Sequence, residues 1–95
     1  MRIEITRSAA DDIADGHLFY ESREAGIGYH FEIMSDIRSL IIYAGIHEIH
    51  FDEYHRMVTH YFPYAIFYKV EDEVIRVYAV LNTRRDPEWI SDRLN

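Results

Sequence analysis

The apolar residues of this chain change their period twice. From Arg2 to Thr6 they alternate, with Ile3 and Ile5 on one side, which predicts a short strand. Ser8-Ala9-Ala10-Asp11 then has the spacing of a capping box. It predicts a helix over about residues 9–24, with three early carboxylates suited to the helix dipole and with Ala10, Ile13, Ala14, His17 and Tyr20 on its buried arc. Gly26 and Gly28 interrupt the pattern. A second helix is predicted over about 28–44, with Ile33, Met34, Ile37, Leu40, Ile41 and Ala44 on one wide face and Gly45 at its end. The break is short, so the two helices should form an antiparallel hairpin.

The period then becomes two. Strands are predicted over 54–61, 64–70 and 74–82, all rich in Val, Ile, Phe and Tyr, with Pro63 at a strand start. Glu71-Asp72-Glu73 reads as a polar hairpin loop that sets Val70 opposite Val74. That register puts Ala65, Phe67, Ile75, Val77, Ala79 and Leu81 on the face the helices cover, with Lys69 the only charge there. It leaves Tyr64, Ile66, Tyr68, Arg76, Tyr78, Val80 and Asn82 on a second, amphipathic face. Asp86-Pro87-Glu88 is a helix start, with Asp86 as N-cap and Pro87 in the first turn, and predicts a closing helix that carries Trp89 and Ile90. The order β-α-α-β-β-β plus a short C-terminal helix defines an α+β class, with a helical hairpin on one face of a mainly antiparallel sheet.

Composition narrows the class. A chain of 95 residues supports one core, so residues 1–95 are read as a single domain. Without cysteine there is neither a disulfide scaffold nor a thiolate metal site. The N-terminus lacks the apolar core of a signal peptide and no stretch has membrane-spanning length, so a cytoplasmic location without membrane contact is expected. There are 17 acids against 10 bases, a formal charge of −7, and residues 8–44 alone hold seven acids against two bases. Whole-molecule attraction to nucleic acid is therefore not expected, since that affinity rests on neutralising phosphates.

Several strings, in this order and spacing, resemble the RelE/ParE toxin superfamily, the toxin halves of bacterial toxin–antitoxin (plasmid stabilisation) modules. They are Phe19-Tyr20-Glu21, Gly26-Ile27-Gly28 with Phe31, Phe62-Pro63-Tyr64 with Ile66-Phe67-Tyr68, and Val80-Leu81-Asn82 leading into Arg84-Arg85-Asp86-Pro87. Many members carry His where this chain has Asn82, and bases where it has His60 and Tyr61. Those departures and the acidic balance make it more similar to the ParE branch, which poisons DNA gyrase without being an enzyme, than to the RelE branch, which cleaves messenger RNA on the ribosome. The resemblance implies a cognate antitoxin as partner, gyrase ahead of ribosome or messenger RNA as target, no cofactor, and either a homodimer or a toxin–antitoxin hetero-oligomer. A ribosome-dependent endoribonuclease, and a non-toxic binding or dimerising module of the same fold, stay open as alternatives.

The candidate residues follow. Arg84 and Arg85 stand where the last strand ends; with Arg76 and Asn82 they are the target-binding candidates, because guanidinium forks suit phosphate and carboxylate. The bland alternative is pairing with Asp86 or Glu88. Leu18, Phe19 and Ile42 fall off the buried helix arcs and are the antitoxin-binding candidates. For the nuclease alternative the candidates are Arg56, Tyr61 and Arg84, while alternation sets His55 and His60 on opposite faces of one strand. Tyr61, Tyr64, Tyr68 and Tyr78 could stack bases or cover a half-buried sheet. His47-x-x-His50 lacks a carboxylate at a recognised metal spacing, so no metal is expected, and His17 reads as a core or interface histidine.

Overall fold

A computed structural model of the chain describes residues 1–26, 29–50 and 53–95, with the backbone only at 29–32 and 50. The expected break at Gly28 and the side chains of Phe31 and His50 lie outside the described residues. The elements run β1 (Arg2–Ile5), α1 (Arg7–Glu21), α2 (Tyr29–Tyr43), β2 (Ile49–His50), β3 (Tyr54–Val58), β4 (Tyr64–Glu71), β5 (Val74–Asn82) and α3 (Pro87–Leu94). The strands form one sheet in the order β1-β5-β4-β3-β2, antiparallel except for the parallel pairing of β1 with β5. The α+β class and the element order are as the periodicity predicts. The two-residue β2 is an addition, and β3 stops at Val58, short of the expected 61.

Strand β1 runs straight into α1. Thr6, not Ser8, is the N-cap: it is extended (φ −65°, ψ 159°) and its Oγ1 accepts the Ala9 N–H at 3.1 Å. A cap two residues earlier leaves no acid in the first turn and turns the helix about its axis. The buried face is therefore Ala9, Ile13 and Gly16, with Tyr20 packed against the core, while Ala10 and Ala14 are exposed. On α2, Ile33, Ile37 and Leu40 are buried as expected, whereas Ile41 is half exposed. Gly45 follows α2 at φ +93°, the left-handed conformation that glycine adopts without strain.

The faces of the sheet differ from the expected ones for two reasons. The β4–β5 hairpin turns on two residues, Asp72 (φ 49°) and Glu73 (φ 68°), so Glu71 lies opposite Val74. A bulge then adds a residue in β5: Tyr68 pairs with Val77, but Phe67 pairs with Ala79. Each one-residue step exchanges inward and outward sides on β5 relative to β4. Beneath α1 and α2 lie Tyr64, Ile66, Tyr68, Ile75, Val77 and Val80. Ala65, Phe67, Ala79 and Leu81 point the other way, onto Ile90 and Leu94 of α3. Ile75 and Val77 sit as predicted; Ala65, Phe67, Ala79 and Leu81 do not, nor do Tyr64, Ile66, Tyr68 and Val80. The second face is also not open along its length, because α3 closes part of it. Tyr54 pins that helix by donating from its hydroxyl to the Leu94 carbonyl at 2.8 Å. Asp86 caps α3 by accepting the Glu88 N–H at 2.9 Å, with Pro87 in the first turn, as predicted.

Candidate functional site

The end of the sheet where β5 leaves and β4 begins carries the site. Thr83 donates its backbone N–H to the Pro63 carbonyl at 2.7 Å, which fixes the phase of the β4–β5 ladder. Bonded pairs alternate with unbonded ones in an antiparallel ladder. The polar groups of Ala79 and Leu81 therefore face β4, and those of Val80 and Asn82 face outward. Strand β1 has already ended, since its last backbone contact is Thr6 N–H to the Val77 carbonyl at 3.0 Å. Beyond that point the outer edge of β5 is uncovered by strand.

Asp12 of α1 fills part of the gap. Its Oδ2 accepts the Val80 N–H at 3.1 Å and a hydrogen bond from Arg93 of α3 at 2.6 Å. Burial pushes the Asp12 carboxyl above its ordinary value, against the downward pull of Val80 N–H and Arg93. Next to it a cleft of about 330 Å³ opens along the β5 edge. Helix α1 supplies one wall with Asp15 and Phe19; Tyr64, Val80 and Asn82 form the floor; Arg85 and Trp89 supply the other wall. Both wall aromatics carry a cation: the Arg23 guanidinium lies 4.2 Å from the Phe19 ring centroid, and the Arg85 guanidinium 4.3 Å from that of Trp89.

The candidates from the sequence divide. Phe19, Asn82 and Arg85 come together in this cleft. Arg84 and Arg85 are exposed, and Arg84 donates its backbone N–H to Asn82 Oδ1 at 2.8 Å. Neither arginine side chain pairs with Asp86 or Glu88; Arg85 lies over Trp89 instead. Arg76 is engaged elsewhere, by Glu4 at 3.0 Å and Glu71 at 3.3 Å. The Glu4 carboxyl is held below its usual range by its hydrogen bonds to Arg2 and Arg76. Leu18 and Ile42 are well exposed but line no part of the cleft. They do not fold under the C-terminal segment, since α3 packs on the opposite face of the sheet.

The residues named for the nuclease alternative come from different elements. Arg56 pairs with Phe67 on the α3 side of β3, while Tyr61 projects from the β3–β4 turn, three-quarters exposed. His55 stacks on Tyr68 (centroids 5.0 Å apart), and its Nδ1 bonds to the His47 carbonyl at 2.7 Å. His60 lies beyond the end of β3, so strand alternation does not apply to it. Its Nδ1 and its backbone N–H both meet the carboxylate of Asp36, at 2.8 and 3.3 Å. Asp36 is buried on α2, which the helical pattern did not reveal. The four tyrosines form no single platform: Tyr64 and Tyr68 are buried under the helices, and Tyr78 is on the other face beneath Lys69. The buried Tyr68 hydroxyl meets His47 Nδ1 and accepts the Gly45 N–H at 3.1 Å. Desolvation raises its pKa and also lowers that of His47. Among the described residues no cluster of three His, Asp or Glu could hold a metal ion, and no helix is long and apolar enough to cross a membrane.

No family model matches the sequence, and no curated protein does. The architecture itself is an α+β fold. Among solved structures it is similar to a chain described as "Chromosomal ParDE TA system from P. aeruginosa", with a TM-score of 0.78. That match covers 86% of this chain and 95% of the other at 15% sequence identity, so the two share a fold.

Proposed function

We propose that this chain is the toxin half of a type II toxin–antitoxin module that acts by binding a macromolecular target and is neutralised by a cognate antitoxin. The observation that supports this most is the fold shared, at a TM-score of 0.78, with a chain from a ParDE toxin–antitoxin system. The cleft agrees with it. An exposed pair, Arg84 and Arg85, stands at the strand exit beside Asn82, outside the structural ion pairs. The target is a gyrase-type protein rather than the ribosome. A charge of −7 argues against docking on RNA, and Arg56, Tyr61 and Arg84 come from three different places, β3, the β3–β4 turn and the exit of β5.

The test is purified chain added to two assays, supercoiling by DNA gyrase and translation on ribosomes. Inhibited supercoiling with intact messenger RNA is the expected result, and it is lost in the Arg84→Ala/Arg85→Ala variant. Discrete messenger-RNA cleavage with unaffected gyrase would replace this reading with the endoribonuclease one. Inertness in both assays, with no growth arrest on induction, would leave a non-toxic binding module.

A further inference from the structure

A buried hydroxyl between two histidines fastens the connection from α2 to β2. Tyr68 is fully buried, and its hydroxyl oxygen accepts the Gly45 N–H at 3.1 Å. Burial raises the Tyr68 pKa while the main-chain N–H groups of Gly45 and His47 pull it down, so both face that oxygen as donors. The hydroxyl has one proton of its own, and among the described residues His47 Nδ1 is the acceptor within its reach. That fixes the tautomer: His47 is neutral and carries its proton on Nε2. His55 stacks on the Tyr68 ring and donates from Nδ1 to the His47 carbonyl at 2.7 Å, since a carbonyl can only accept. His55 makes this bond whether it is neutral or charged. His47 has no such freedom. Protonation turns its Nδ1 into a donor aimed at an oxygen that is already accepting, and leaves the Tyr68 proton without an acceptor in the core.

We propose that His47, Tyr68 and His55 form an acid-sensitive catch, closed while His47 is neutral, that holds the α2–β2 connection and the edge of the sheet beyond it. The connection leads straight into β2, whose hold on β3 begins with the Arg56 N–H on the Glu48 carbonyl at 2.9 Å. Strand β2 is two residues long and outermost in the sheet, so freeing His47 loosens this edge first. The titratable groups around His47 are Tyr68 from β4 and His55 from β3. Glu48, next in the chain, is exposed, and Tyr43 in the last turn of α2 is half exposed. Burial lowers the His47 pKa from the ordinary 6.5, and the neighbouring His55 adds to this. A released imidazole titrates at the ordinary value, so the open form takes up the proton first as pH falls below 6.5. The catch is therefore at full strength above that value and weakens below it, by at most about tenfold per pH unit, until the closed form is protonated too.

The experiment follows the isotope-labelled full chain by magnetic resonance at about pH 7.5 and about pH 5.5, on either side of the ordinary histidine value. At the higher pH the imidazole nitrogen shifts of His47 show the proton on Nε2. Between the two, opening at the Gly45 and Arg56 amides, read from hydrogen exchange corrected for its intrinsic pH dependence, rises by about tenfold. His47→Asn sets a side-chain oxygen near the place of Nδ1 and cannot be charged, so opening in this variant is flat across the range. His55→Asn keeps a donor for the His47 carbonyl and retains the response. A His47 that merely filled space would change the level of exchange and not its pH profile. If His47→Asn does not fold, the tautomer and the profile of the wild type decide. A His47 proton on Nδ1 at the higher pH, or the same pH response in wild type and His47→Asn, overturns the catch. A response at Gly45 without one at Arg56 overturns its hold on β2.

Discussion

Asp12 and Arg93 meet at 2.6 Å across the free edge of β5, and the same carboxylate oxygen receives the Val80 N–H at 3.1 Å. One side chain on α1 thus holds the last strand and the last helix. The pair is largely buried, with 13% and 25% of the Asp12 and Arg93 side chains exposed, so losing either partner strands a charge rather than merely a surface contact.

Asp12→Ala should therefore destabilise the chain by about 2–3 kcal/mol, since it leaves the guanidinium and a strand N–H unsatisfied. Asp12→Asn, which keeps an acceptor for Val80, should cost less. Urea unfolding of the two variants measures this directly, and equal costs would show that the strand contact is immaterial.

The pH dependence follows from burial. Below the ordinary value of 3.8 Asp12 is protonated in both folded and unfolded states. As pH rises past 3.8 the unfolded chain releases this proton first, because desolvation raises the folded value. The folded state then holds more protons, so this group's contribution to stability falls with rising pH and levels off once the folded carboxyl ionises. The stability advantage of wild type over Asp12→Asn should shrink as pH rises above 3.8 and then level off. An advantage that grows over that range would mean that the Arg93 attraction outweighs desolvation.

Val77 is fully buried beneath the helical hairpin. Val77→Asp should cost at least about 3–4 kcal/mol by burying an unpaired charge, and circular dichroism should find it unfolded or melting far lower. An unchanged melting temperature is incompatible with this sheet orientation.

The β4–β5 turn offers a gain. Glu73 holds φ 68° although it is not glycine, a conformation that strains an L side chain. Glu73→Gly gives the turn an Asp-Gly sequence, well suited to two-residue hairpins, and should stabilise by about 0.5–1 kcal/mol. A loss of stability would show that the Glu73 side chain makes a compensating contact.

Periodicity carried the sequence reading where local physics decides. Strand β5 was legible to the residue as Val74–Asn82, because it is rich in Val and other strand-favouring residues and turn residues bound it. The Asp86 and Pro87 start of α3 was legible for the same local reason. What failed was competition between near-equal local choices. Thr6 and Ser8 are both good caps, and only the docking of β1 on β5 favours the former. The hairpin could close on two residues or three, and the bulge at Tyr78 leaves no mark in the pattern. Phe19, Asn82 and Arg85 could be named singly, but not the cleft that unites them. Beside it Asp12 ties Val80 to Arg93, a link that no spacing rule supplies.

The pairing of Arg2 with Val74 and of Ile5 with Val77 joins the first strand of this fold to its last. Strand β5 lies between β1 and β4 and contributes to the layers on both faces, so neither core closes without it. Such long-range pairing folds late, because the loop must close before its contacts repay the entropy. A nascent chain stopped before Val74 lacks the middle of its own sheet, Asn82 and both arginines. Any function that needs the whole sheet is withheld until β5 has been made and paired.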